Sequence, residues 1–313
     1  MKKVYPPNAK QDAEPRGHHF VPKCWLAGFT ETGETDGRLW VTDFSRKRQW
    51  QTTPEKAGKI RDFYRLSDPA PDPVVVEKMF SELESVSGPI LNNLDTERRP
   101  PTADELDALL QFIAIQWARV PAFRPLVLEV LDKLARRKFA ESLQCRETWI
   151  AALKEAGLDP AAPGADYDRA QVFFESGEFN IAAETEWYIM RAFQAAEAIL
   201  PLLRGRYWGT SFSQSGRFIG SDNPVALEGP KGEKVGFKNA EFVFYAVSRH
   251  VFLTGTLVKV TRPPFNLKYI SQMNTMMMLT SDLQVYSHVS DFSWADVKRK
   301  HQTEWQLFSK EKY

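Results

Sequence analysis

Cysteine is almost missing from this chain. Its 313 residues hold two, Cys24 and Cys145, with no spacing that suits a thiolate zinc site or a redox pair. Two thiols in a chain this long fit a reducing compartment better than a disulfide-stapled secreted fold. An excess of charge is missing too. The 41 basic residues stand against 40 acidic ones, so no overall field draws the molecule onto nucleic acid or an anionic membrane. Nucleic acid stays open as a partner only through a local basic groove. No apolar run reaches the roughly 18–20 residues that a membrane span needs. The start, Met1-Lys2-Lys3-Val4-Tyr5-Pro6-Pro7, is basic but is followed by no apolar segment, unlike a secretory signal. A cytoplasmic protein without a membrane partner is the expectation. Gly-rich phosphate loops, nucleophile elbows and His-Glu-x-x-His are also absent.

What is present supports a sizeable core: 43% hydrophobic and 12% aromatic residues. The length allows one large domain or two modest ones. Residues 1–16 are polar, proline-punctuated and expected to be a disordered arm, with a single domain over 17–313. After Pro22, suited to a first helical turn, Val21, Trp25, Leu26 and Phe29 fall at helical spacing. Strands are predicted over 38–44, 49–53 and 61–66. A helical block follows over about 73–204. Phe80, Leu83, Ser87, Ile90, Leu91 and Leu94 share a face, and Gly88-Pro89 should kink or split that helix. Thr102 and Glu105 form a capping box. Further helices are expected up to Pro121, over about 123–140, and from about 180 to 203, with a polar linker over 158–164. A strand-rich block covers about 205–290, with strands over 207–212, 217–220, 241–247, 250–256 and 285–288 and a helix over 267–279. A closing helix is expected over about 294–308. Strands, then helices, then strands indicate α+β rather than βαβ winding. The two strand blocks are expected to join in one mixed or antiparallel sheet, with the helices inserted between them.

His18 and His19 are two of only five histidines. Neutral imidazole is both a metal ligand and a general base near neutral pH. Adjacent residues on extended backbone face opposite ways, so at most one should face a site; the structural alternative is a histidine bonding a backbone carbonyl. The pattern His-His-x-x-Pro suggests an HNH nuclease arm, but residues 23–91 hold neither Asn nor His, which argues against that assignment. Ser221-Asp222-Asn223-Pro224 follows an apolar strand. Asp222 can ligate a metal or orient a histidine and Asn223 can donate to an anion; the alternative is an Asx-turn. Arg119, beside Gln116, can clamp a phosphate or carboxylate or pair with an acid of the neighbouring helix such as Glu84. Glu77 and Glu84, seven residues apart, share one helical face and are either paired carboxylates or solvated edges of the core. Met276-Met277-Met278 reads as core filler.

Taken in order, these segments resemble a mainly microbial family, the domain of unknown function 4238. The resemblance covers about residues 17–290. It rests on His18-His19-Phe20-Val21-Pro22 with Leu26 and Phe29, Leu39-Trp40-Val41, Asp62-Phe63-Tyr64, Phe112 to Pro121, Ser221 to Val225, Asn274, and Val285-Tyr286. Similar proteins carry a Pro-Leu-Ser-like segment before the residue at His250; here it reads Phe244-Tyr245-Ala246-Val247-Ser248. The family has no established activity, so it supplies no catalytic residue, but its polar motifs recur at strand ends. The expectation is a hydrolase, of nuclease or phosphoesterase type, built from His18 or His19, Asp222, Asn223 and Arg119. A divalent metal or a histidine base would activate water, with Arg119 steadying negative charge. The alternative is a non-enzymatic binding or toxin-like module in which the same residues form a structural polar network. A third is a small-molecule pocket without chemistry.

Overall fold

The structure is a computed structural model and describes residues 16–66, 75–259, 267–295 and 301–303. The arm expected over residues 1–16 thus lies outside the described residues, except for Arg16. The chain opens with β1 (Gly17–His19) and α1 (Lys23–Ala27), with Pro22 as the extended N-cap. β2 (Leu39–Asp43) and β3 (Arg48–Thr52) form the expected hairpin, with Val41 opposite Trp50. The strand predicted over 61–66 is displaced. β4 is Lys59–Arg61 and pairs antiparallel with β1, His18 opposite Ile60. Asp62 then takes φ 55, a left-handed conformation that no strand continues through, and its carboxylate pairs with Arg16.

Six helices follow: α2 (Val75–Glu97), α3 (Ala103–Arg119), α4 (Phe123–Ser142), α5 (Arg146–Glu155), α6 (Tyr167–Ser176) and α7 (Thr185–Arg204). α2 is one helix through Gly88-Pro89 and not two. Ser87, Leu91 and Leu94 are buried on either side of the proline, and burial of that shared stripe outweighs the lost main-chain bond. The capping box at α3 forms as its spacing requires: Thr102 Oγ1 accepts from the amide of Glu105 at 3.3 Å, and Glu105 Oε2 accepts from that of Thr102 at 2.8 Å. α5 and α6 flank the polar 158–164 linker. They are tied to α4 through aromatic contacts of Phe139 with Trp149 and Phe174. α7 begins at Thr185 instead of near residue 180.

The last block holds β5 (Tyr207–Phe212), β6 (Gly220–Ser221), β7 (Val225–Glu228), β8 (Phe242–Ala246), β9 (Val251–Thr256), α8 (Leu267–Thr280), β10 (Gln284–Ser287), β11 (Ser293–Ala295) and β12 (His301–Thr303). The strand predicted over 217–220 shrinks to Gly220–Ser221, and β7 arises just after the turn at Pro224. The closing helix expected over about 294–308 is not found where that segment is described: β11 and β12 pair there as antiparallel strands.

The architecture is α+β, and the N- and C-terminal strands do join, with β10 lying between β2 and β6 in the order β3-β2-β10-β6. They do not form one sheet, however. A second four-stranded sheet, β5-β9-β8-β7, comes wholly from the last block, and two small ladders complete the set. One hydrophobic core runs from Phe20 to Phe292 through all three blocks. Trp25 is its hinge pin: it is fully buried, and its indole N–H donates to the carbonyl of Ala246 at 2.8 Å, tying α1 to β8. A Cβ at Gly220 would sit 2.6 Å from the Trp25 ring, so only glycine lets β6 pack so close. No described helix is long and apolar enough to cross a membrane.

Candidate functional site

His18, His19 and Arg119 come together. β1 turns the His18 ring wholly inward. Its Nδ1 accepts from the amide of Tyr64 at 2.8 Å, and the ring lies parallel to the Tyr64 ring with centroids 6.1 Å apart. An accepting Nδ1 places the proton of a neutral imidazole on Nε2. The Glu77 carboxylate reaches within 3.9 Å of the same Nδ1. The His19 ring turns to a different neighbour, the carbonyl of Pro54, 3.2 Å from Nε2. Burial, helped by Lys23, lowers its pKa.

Arg119, in the last turn of α3, is 2% exposed. Its guanidinium donates to Glu84 Oε1 at 3.0 Å and to the main-chain oxygen of His19, and lies 4.2 Å from the centroid of Phe80. Its own carbonyl accepts from the Tyr64 hydroxyl. The pairing of Arg119 with Glu84, one of the two alternatives in the sequence, is therefore the one that forms. Gln116 is also buried and accepts from the Tyr245 hydroxyl at 3.2 Å. A cavity of about 10 Å³ touches Arg119, Tyr64 and Phe80, roughly the space of one water and far below that of a substrate. Glu77, beside His18, is pushed up to about 7, chiefly by burial, against the pull of Arg119.

Asp222 and Asn223 belong to a second group. Asp222 is 5% exposed, and its carboxylate accepts from three successive amides: Asp282 at 2.8 Å, Leu283 at 2.8 Å and Gln284 at 2.9 Å. Burial pushes its pKa up to about 6 against those three bonds. Asn223 donates to the carbonyl of Thr280 at 2.9 Å, and its own carbonyl accepts from the Ser221 hydroxyl at 2.7 Å. This goes beyond the local Asx-turn alternative: both side chains bond the segment from the end of α8 to the start of β10, about 60 residues away. The two groups share no hydrogen-bonding partner in these contacts. Among the described residues no three His, Cys, Asp or Glu side chains gather as metal ligands.

Sequence reasoning gave no role to two further features, one of which, Asn274, it used only as a mark of the family resemblance. Asn274, fully buried in the Met-rich α8, accepts from the Ile219 amide at 3.2 Å and donates to the carbonyls of Arg217 at 2.9 Å and Ser293 at 2.7 Å. Its signal was an asparagine set between Met273 and the Met276-Met277-Met278 run. The other feature is a cleft of about 220 Å³ between α1, the loop around Gly33 and α2, reaching Val247. Its apolar wall includes Ala27, Leu91 and Cys24. Burial pushes the Cys24 thiol up to about 12, so it is a neutral lining group and not a nucleophile. Gly33 holds its turn with φ +86. Asp95 also lines it, with its carboxylate near the Arg249 guanidinium at the Gly33 turn. Asp95 follows directly on Leu94 of the buried stripe, and an acid in that place was the available hint.

The class so defined is an α+β protein with antiparallel sheets, interior polar staples and a small open cleft. The family model described as "Protein of unknown function (DUF4238)" matches residues 17–291, and the chain belongs to that family. No curated protein and no solved structure matches it.

Proposed function

We propose that this protein is a non-enzymatic binding module whose cleft between α1 and α2 takes a small molecule, while His18, His19, Arg119, Asp222 and Asn223 serve as structural staples. The cleft carries the reading: it combines an apolar wall of Ala27, Leu91 and Val247 with a few polar side chains, among them Glu34, Asn92 and Asp95, the pattern of a small ligand site. The five residues support the second half, because their polar atoms are aimed at main-chain groups and a buried ion pair, away from open space. A reducing, cytoplasmic setting fits the two free thiols. The test is a thermal-shift screen of metabolite-sized compounds on the full chain and on Asn92→Trp, which plugs the cleft from its exposed rim. Compounds that stabilise the first and not the second are expected; hits shared equally by both, or none, would overturn the reading.

A hydrolase remains the second reading, favoured by one observation. Glu77, held at about 7 and 3.9 Å from His18, has the pKa of a general acid or base at neutral pH. Turnover of a phosphodiester panel, with and without a divalent metal, that Glu77→Gln abolishes while the fold stays intact would establish it in place of the binding module. A flat panel removes it.

A further inference from the structure

We propose that His250 is a proton-operated latch on the loop after α1: the neutral ring holds Arg249, Arg249 holds the loop, and protonation of the ring releases both. The loop supplies Gly33, Glu34 and Thr35 to the cleft, so the latch sets the shape of its mouth. It acts on the loop itself and stands whether or not the cleft takes a ligand. Two hydrogen bonds fix the state of the ring. His250 Nδ1 lies 2.8 Å from the carbonyl of Ser213; a carbonyl only accepts, so Nδ1 carries a proton. Nε2 accepts from Arg249 Nε at 3.1 Å, so Nε2 carries none. Only the neutral ring protonated on Nδ1 satisfies both contacts.

The ring cannot turn away from the conflict that a second proton creates. His250 is 8% exposed. The turn between β8 and β9 that carries it is pinned: the Ser248 hydroxyl accepts from the amides of His250 at 3.0 Å and Val251 at 3.1 Å. On another side stands Gly216, held at φ +65, where a Cβ would come 2.9 Å from His250 Cε1. A proton on Nε2 turns the acceptor into a donor and sets an imidazolium against a guanidinium. With the ring clamped, the half-buried Arg249 side chain is the part that moves. The Asp95 carboxylate is at hand to receive it. Asp95 Oδ2 and Arg249 Nη2 lie 3.6 Å and 3.9 Å from the place a Cβ would take on Gly33.

Arg249 governs the loop because its guanidinium donates to the carbonyl of Thr30. Thr30 organises the turn that follows. It is fully buried, and its hydroxyl accepts from the amide of Gly33 at 2.9 Å and donates to the carbonyl of Ala27 at 2.8 Å. The charges around the ring set the direction of the switch. Burial lowers the pKa of His250; the Ser213 carbonyl and Asp95 work against the lowering, and Arg249 and Arg98 add to it. His288 and Arg217 complete the charged set there: burial, then Arg249, His250 and Arg217, lower His288. A histidine lowered in this way is neutral above its ordinary value of about 6.5 and takes up its proton as the pH falls below it. The latch is closed at neutral pH and opens on acidification.

The experiment is an NMR titration of the full chain from about pH 8 to about pH 4, following the His250 ring and the Gly33 amide in the same samples, with hydrogen exchange of the loop alongside. Ring and amide are expected to change with one midpoint. Protection of the loop, corrected for the intrinsic pH dependence of exchange, should fall about tenfold or more, as the loss of a charge-assisted bond does. His250→Gln offers an acceptor oxygen to Arg249 and cannot be charged, so its loop should stay protected across the range. Arg249→Leu should leave the loop unprotected at every pH, and His288→Asn should leave the response as it is. A Gly33 amide that is silent through the His250 titration, or that changes with another midpoint, would overturn the latch. So would a response that persists in His250→Gln or vanishes in His288→Asn, and so would unfolding before the His250 ring takes its proton. If His250→Gln does not fold, the titration of the parent chain decides alone.

Discussion

The guanidinium of Arg119 donates to the main-chain oxygen of His19, one hundred residues earlier in the chain. One side chain at the end of α3 thereby closes the end of β1, and its other arm holds Glu84 of α2. Three elements, β1, α2 and α3, meet on a single buried cation. This is the arrangement expected of a fold whose terminal segments must be stitched to an inserted helical block.

Removing that cation should be costly. Arg119→Met leaves the Glu84 carboxylate and the His19 carbonyl without their donor. Breaking a buried pair costs roughly 3–5 kcal/mol; the value here should lie near the lower end, because the Glu84 side chain keeps 20% of its surface in water. Lysine should not restore the loss, having no planar fork to reach two acceptors at once. Urea denaturation of the three proteins measures it.

Asp222→Ala should orphan the amides of Asp282, Leu283 and Gln284 together and lower stability by about 1–3 kcal/mol for each of those groups that stays out of water. Asp222→Asn keeps one acceptor oxygen and should lose less. Thermal melts of both variants rank them; an alanine variant as stable as the parent would contradict the stapling role.

Asn274→Leu tests the buried asparagine of α8. Its side chain accepts from one buried main-chain amide and donates to two carbonyls, so an apolar replacement of similar size should still destabilise by about 2 kcal/mol or more. Hydrogen exchange should show the Ile219 amide losing protection first.

Histidines set the acid side of the stability profile. Burial, with Arg249, His250 and Arg217 adding to it, pushes His288 down to about 4, and burial also lowers His19 and His250. A histidine depressed in the folded state binds fewer protons there than in the unfolded chain. Its contribution is complete above about 6.5 and is lost as pH falls from there towards 4. Glu77, at about 7, and Asp222, at about 6, act with the opposite sign: their contribution is present at low pH and is lost as pH rises through those values. His288→Asn should therefore flatten the decline between pH 6.5 and 4 in a melting-temperature profile and leave the alkaline side unchanged. An acid limb of unchanged slope would remove His288 from this role.

Much of the fold could be read from local pattern. The β2–β3 hairpin, the Thr102–Glu105 capping box, the stripe of α3 and the strand-helix-strand order each depend on residues a few positions apart. The errors share a cause. α2 survives Pro89 because burial on both sides of it overrides a local breaker. The strand expected over 61–66 ends early because Asp62 turns left-handed where Arg16 meets its carboxylate. β11 and β12 lie where an apolar, charged-face pattern indicated a helix.

The site divides along the same line. Residue chemistry by itself determined that His18, His19, Arg119, Asp222 and Asn223 were unusual, since polar groups amid apolar runs must find partners once buried. It also determined the α+β class, because periodicity is a local property. Only the tertiary structure decided who those partners are: Tyr64 for His18, Glu84 for Arg119, three consecutive amides for Asp222. It alone brought Asp95 of α2 to the cleft beside α1. Hydrogen bonds and cavities join residues through space, and no spacing along the chain encodes an encounter between segments that fold together from sixty or a hundred residues apart.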